Sequence, residues 1–219
     1  MSSPLPGPSP EPDPAWVTAH STNITLDDGT RILVRPILPE DKQRLAAGLE
    51  RLSPESRYLR FHHGVAHLGE DDLRYLTVID YDDHFAWGAE AVDDPSRPGI
   101  GVARYIREKP GSDRAEAAVV VADEYQGRGL GKLLLANLVE TAWEHGIRTF
   151  VAYVAPANSK VMRMVRGAGG AVSHEDGVLH VEIPLAEIHA GSAIRAVLRA
   201  AAARDISVRP PPSESDPQP

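Results

Sequence analysis

Along this chain, short blocks of apolar residues with turn residues between them alternate with stretches in which leucines recur every three or four positions. The first pattern marks strands and the second marks helices that bury one side. Residues 23–26 and 31–35 flank Asp27-Asp28-Gly29-Thr30, a hairpin turn. Residues 39–51 read as a helix with Leu45, Leu49 and Leu52 on one side. Ser53-Pro54-Glu55 starts another, with Ser as cap, Pro in the first turn and an acid near the positive end. Residues 71–79 are again helical, and 85–92 and 100–107 are strands separated by Asp93-Asp94-Pro95-Ser96-Arg97-Pro98-Gly99. The strand 115–121 follows Lys109-Pro110-Gly111. Leu130, Leu133, Leu134, Leu138 and Ala142 then keep helical spacing until His145-Gly146 supplies a stop. Residues 149–154 form a β-rich run, and Asn158 opens a short helix to about Arg166. A last hairpin pairs 171–174 with 178–183 across Asp176-Gly177, and a helix over 185–204 follows. Strands, helix, strand, helix and hairpin in this order describe a mixed α/β sheet.

Composition sets the limits of this picture. At 219 residues and 42% hydrophobic content, the chain suits one globular domain with flexible ends. Proline occupies every even position from 4 to 14 and recurs from 210 to 219, so residues 1–20 and 206–219 read as disordered tails. They flank a domain over 21–184 and a helix over 185–205. No run of about twenty apolar residues suggests a membrane span, and the N-terminus lacks the basic start and apolar core of a secretory signal, so the expected compartment is the cytoplasm. With no cysteine, a disulfide framework and a cysteine nucleophile are both excluded. The net charge of −8 argues against nucleic acid as a partner and for a basic one, such as an amine.

The chemistry concentrates where strand 115–121 meets the next helix. Gln126-Gly127-Arg128-Gly129-Leu130-Gly131-Lys132 places three alternating glycines at a helix start, where backbone N–H groups lack partners and the helix dipole favours an anion. This is a phosphate site. It is not a P-loop, because the residue six before Lys132 is Gln126 and Leu133 follows the lysine. Nor is it a dinucleotide fingerprint, whose third glycine position holds Lys132. Residues 126–131 do match Q-x-x-G-x-G, and with the strand before and the helices after, the chain resembles the GNAT family of acetyl-CoA-dependent N-acetyltransferases.

That resemblance implies a GNAT fold, a mixed and mostly antiparallel sheet with a splayed central strand pair and flanking helices. It implies that acetyl-CoA binds with its pyrophosphate on Gln126 to Lys132, Arg128 and Lys132 supplying charge. The pantetheine arm would pair with the backbone of Ala118, Val119 and Val120, and Asn158 and Arg166 would reach the coenzyme from the second helix. Asn158 as a plain helix cap and Arg166 as a C-terminal charge explain the same residues. The family's general base maps onto Glu116, which stands among Ala115, Ala117 and Ala118, and burial there would raise its pKa. A base is needed because an alkyl amine of pKa ~10.4 is neutral in only about one molecule in 2,500 at pH 7. A polar residue on a half-exposed strand is the plainer account of Glu116. Where many relatives carry a tyrosine as general acid, this chain has Val165; Tyr153 and Tyr125 are available, with packing and loop roles of their own.

Further along, Arg35-Pro36-Ile37, Pro39-Glu40-Asp41, Leu52 to Phe61 and Val78-Ile79-Asp80-Tyr81 look like the bacterial Pat-type protein lysine acetyltransferases, without room for a cyclic-nucleotide domain. The resemblance implies direct transfer to a protein lysine, as on an acyl-CoA synthetase. A small-molecule amine acceptor and a non-catalytic acyl-CoA-binding regulator remain alternatives. His62, His63 and His67 suggest a metal site only weakly, since Gly64 interrupts their helix, and no metal is expected. The acidic runs at 70–72 and 80–83 are either solvated turns or the lining of a groove for a cationic acceptor.

Overall fold

The computed structural model describes residues 12–185 apart from 27, 62–67 and 176, together with 206–208. Among the described residues, nine strands form one sheet: β1 Thr22–Leu26, β2 Arg31–Pro36, β3 His84–Ala91, β4 Gly99–Arg107, β5 Arg114–Val121, β6 Thr149–Val154, β7 Ala171–Glu175, β8 Val178–Pro184 and β9 Ile206–Val208. Their order is β7-β8-β6-β5-β4-β3-β2-β1-β9, and every pairing is antiparallel except β5 with β6. The helices are α1 Pro14–Ala19, α2 Lys42–Glu50, α3 Pro54–Phe61, α4 Glu70–Thr77, α5 Leu130–Glu144 and α6 Ser159–Gly167.

Two layers of helix cover the sheet. On one face Leu130, Leu134, Leu138 and Ala142 of α5 pack with Phe85, Trp87, Ala103 and Tyr105 of β3 and β4 into the main core. Ala117, Val119 and Val121 of β5 also point to this face. The other face, reached by Ala118 and Val120, lies beneath α2 and α4. β3 is buried at every position, which explains why its sequence shows no clean alternation. Beneath the sheet's edge, Val161, Met162 and Val165 of α6 pack against Val154, Leu179 and Val181.

Residues 12–20 and 206–208 differ from the expected tails, the rest of which lies outside the described residues. Asp13 accepts a hydrogen bond from the N–H of Ala15, Pro14 takes the first helical position, and Trp16 packs edge-on against Tyr81 and Phe85, so residues 14–19 form a helix anchored by one aromatic. Residues 206–208 pair with β1, Ile206 opposite Leu26 and Val208 opposite Ile24, because two β-branched residues at period two suit an open sheet edge. The helix placed over 185–205 lies, beyond Leu185, outside the described residues. The stretch 39–51 divides into a 3-10 turn at Pro39–Asp41 and α2, with Asp41 turned inward to Arg35.

Candidate active site

The parallel pair β5–β6 is where the sheet opens. Its register runs Arg114 to Thr149, Ala115 to Phe150 and Glu116 to Val151, and ends there. β5 continues for five more residues paired with β4 alone, while β6 pairs onward with β8. Ala117 to Val121 therefore present one backbone edge to a wedge-shaped gap, and Glu116 stands at its apex. Because the two strands are parallel, the helices that follow them, α5 and α6, begin at the same end of the sheet, the crevice where α/β sheets bind ligands.

The glycine loop closes the mouth of the gap. Gly127 and Gly129 have φ of 78° and 85°, a region other residues enter only with strain. Gly129 is the N-cap of α5, and no side chain caps that turn. Leu130 is buried in the core, so only its backbone can serve a ligand. A Cβ on Gly127 would meet only open space, and one on Gly131 would sit at ordinary contact, 3.5 Å from Val121. Folding alone thus does not demand glycine at 131. A row of uncapped N–H groups at the start of a fifteen-residue helix, beside an uncovered strand edge, fits a pyrophosphate with an extended amide arm.

Several expected contacts take a more particular form. The Gln126 side-chain amide donates to the carbonyl of Val121 at 3.1 Å and to Ser56 Oγ at 3.2 Å, so Gln126 braces the loop from behind. Arg128 is ion-paired with Asp28 on the β1–β2 turn and lies over the Tyr125 ring, 5.2 Å from its centre. Asn158 caps α6, its Oδ1 accepting from the N–H of Val161 at 3.1 Å. Arg166 is exposed in the last turn of the same helix, about 12 Å further along by helical rise. Val165 is buried and can protonate nothing, and Tyr153 packs against His180.

Glu116 needs a correction. It is exposed, not buried among the alanines that flank it. Alanines 115 and 117 face the core side, while Glu116 shares the opposite face with Ile106 across the ladder. The apolar strand therefore does not enclose the carboxylate. Next to it on that face lie Arg104 and His84, both buried, with Arg104 Nη1 donating to His84 Nε2 at 3.0 Å and to the carbonyl of Leu76. Burial, and then the Arg104 charge, push the His84 pKa down to about 3, so this imidazole is neutral and accepts. The Tyr75 ring of α4 packs against His84 at a tilt of 47°, 5.3 Å between ring centres; burial raises its pKa, with Arg104 opposing and Glu116 adding to the shift.

Sequence reasoning passed over the groups that hold the loop in place. Asp123 accepts from the N–H of Ser53 at 2.8 Å and from Ser56 Oγ at 2.7 Å, and Arg51 is ion-paired with Glu124. Asp-Glu immediately before Tyr-Gln-Gly was the available signal, but its partners lie about seventy residues away. The acidic runs are likewise engaged. Arg107, its side chain 7% exposed, holds Asp83 at 2.5 Å, Asp80 accepts from the N–H of His84, and Lys42 pairs with Glu70. His62, His63 and His67 lie outside the described residues.

The profile of the acetyltransferase (GNAT) family matches residues 50–169. The chain is 34% identical over 161 residues to Acetyltransferase Pat of Mycolicibacterium smegmatis, an alignment covering 73% of this chain and 47% of that protein. This chain thus spans about half the length of that relative. It is 34% identical over 152 residues to an acetyltransferase of Pseudomonas aeruginosa, covering 69% of this chain and 81% of the other. The GNAT domain of S. lividans PAT superposes with a TM-score of 0.67 at 32% identity, over 80% of this chain and 99% of that one. The matched stretch contains the splayed strands, the glycine loop and both following helices, and the chain belongs to the GNAT family of acetyltransferases, whose acyl donor is acetyl-CoA.

Proposed function

We propose that the protein transfers the acetyl group of acetyl-CoA directly to the side-chain amine of a lysine on a protein, with Glu116 as general base. The observation that carries this reading is the position of Glu116 at the apex of the β5–β6 gap, on a strand edge left open toward α5. The glycine loop would hold the pyrophosphate, with Gly127, Gly129, Leu130 and Gly131 offering backbone N–H groups and Lys132 and Arg128 charge. Ala118, Val119 and Val120 would pair with the pantetheine arm, and Asn158 and Arg166 would flank it.

A thioester carbon delivered to the apex is attacked by the neutral amine: a C–N bond forms, the C–S bond breaks, and the amine proton passes to Glu116 directly or through water. Exposure suits this role, since the proton must go on to solvent and a large acceptor must reach the carboxylate. A thiol of pKa near ~8.5 is a fair leaving group and needs no side-chain acid, consistent with valine at 165. The resemblance to the Pat-type acetyltransferases supports a lysine acceptor, an acyl-CoA synthetase among the candidates, and the proposed compartment is the cytoplasm, where coenzyme A thioesters are at hand.

Glu116→Gln is expected to lower kcat by roughly 10²–10⁴ while coenzyme A affinity stays nearly unchanged. Most of kcat retained at neutral pH would remove Glu116 from the mechanism. Mass spectrometry of a cell extract incubated with the protein and labelled acetyl-CoA identifies the acceptor, and label confined to small amines would overturn the protein-lysine assignment.

A further inference from the structure

An apolar cavity of about 90 Å³ lies on the face of the sheet that Glu116 shares, roofed by α2 and α4. Leu45, Leu49, Leu52, Leu76, Val102 and Val120 form its walls, and Ala118 borders it on β5. The charged groups at its rim are committed elsewhere. Arg35 is bonded to Asp41 at 2.7 Å and to Glu90 at 2.8 Å, and Arg44 to Asp41 at 2.9 Å. The interior thus offers hydrocarbon, and such a cavity stays dry and takes apolar matter, whereas a polar acceptor would be desolvated there for nothing.

Its position is as telling as its lining. Ala118 and Val120 belong to the stretch of β5 that β6 leaves uncovered, and Ala118 is two residues from Glu116 on the same face, about 7 Å along the strand. A thioester at the apex therefore has the cavity beside its acyl group. By the proportion that lets a dry cavity of ~150 Å³ hold the six carbons of benzene, 90 Å³ holds about three or four.

We propose that this cavity is an acyl-chain subsite, and that the enzyme takes unbranched acyl-CoA donors of about four to six carbons as well as acetyl-CoA. The inference rests on the donor placement given under Proposed function. The chemistry is unchanged: the acyl C–S bond breaks, the C–N bond to the amine forms, the amine proton goes to Glu116, and coenzyme A leaves as thiolate and is protonated by water. Only the tail differs, and each methylene moved from water into the cavity should raise affinity roughly fourfold until the space is full.

Calorimetry with unreactive S-ethyl, S-butyl and S-hexyl thioethers of coenzyme A tests this on the full chain without an acceptor. Affinity is expected to rise from ethyl to hexyl by roughly tenfold or more. Leu45→Phe and Val102→Phe each fill the cavity and should abolish that rise while leaving S-ethyl binding intact. If S-hexyl coenzyme A binds wild-type protein no more tightly than the S-ethyl compound, or if the rise survives in filled variants that fold, the subsite is refuted and the donor site stands. Should a variant not fold, the wild-type series alone decides. If no thioether binds at any length, the donor placement itself falls, and the subsite with it.

Discussion

Arg128 and Gly131 show how a single residue in the glycine loop divides between holding the loop and holding the ligand. Arg128 is partnered with Asp28, and both side chains are more than a third exposed. A phosphate that recruits Arg128 must compete with that carboxylate, and exposed ion pairs yield readily. Asp28→Asn should therefore tighten coenzyme A binding by roughly two- to fivefold, and Arg128→Ala should weaken it, both measured by calorimetry at low salt. Weaker binding in Asp28→Asn would mean that Asp28 orients Arg128 toward the ligand and does not compete for it. Gly131 separates the two roles more cleanly. Its φ is not positive, and an added Cβ stays at 3.5 Å from Val121, so Gly131→Ala should melt within a few degrees of wild type yet bind coenzyme A at least about tenfold more weakly. Wild-type affinity in a folded Gly131→Ala protein would refute the phosphate cradle. Gly129 allows no such test, because its φ of 85° makes any side chain there a strain on the fold as well.

At the scale of elements, the strands and helices could be read from the sequence wherever periodicity and punctuation agreed, and the site could be read only where it is local. The run 149–154 coincides with β6, and Asn158 caps α6 as its residue type suggests. The turn of the glycine loop into α5 was legible because it is made by consecutive residues. The exposure of Glu116 was not, since it depends on where β6 leaves β5, a matter of pairing between residues 35 positions apart. Nor was the His84–Arg104 pair, formed across two strands beneath α4. That pair has a consequence for stability. Burial, then Arg104, depress the His84 pKa to about 3, while an unfolded histidine titrates near 6.5. The unfolded chain thus takes up a proton first, so the stability that neutral His84 contributes is complete above pH 6.5 and is lost as pH falls toward 3. By pH 5 the loss is about 2 kcal/mol. Denaturant unfolding of His84→Gln, which keeps an acceptor for Arg104, should lack this portion of the slope between pH 7 and 5. An identical slope in both proteins would mean that His84 is protonated when folded.

Across the whole molecule, the charge balance bears on which acceptor reaches the apex of the β5–β6 gap. The net charge is −8, and the carboxylate at the apex of the gap is exposed. The first turn of α4 adds Glu70, Asp71 and Asp72, about 9 Å along the helix from Leu76, whose carbonyl accepts from Arg104 near Glu116. Both runs make ion pairs, but Glu70 and Asp71 stay 76% and 91% exposed beside Lys42 and Arg74, whereas Asp83, held by Arg107, is 40% exposed and so less available. A lysine on a basic protein loop would be steered toward this acidic face, and steering weakens as the Debye length falls from about 10 Å at 0.1 M salt to about 3 Å at 1 M. The kcat/KM for a protein acceptor is therefore expected to drop as salt rises, and Glu70→Gln with Asp71→Asn should flatten that dependence while leaving kcat near wild type. Asp83→Asn should act differently, lowering the melting temperature with little effect on the salt slope. A protein acceptor whose kcat/KM does not change with salt, alongside a free polyamine or amino sugar acetylated efficiently, would assign the gap to small amines and withdraw the protein lysine.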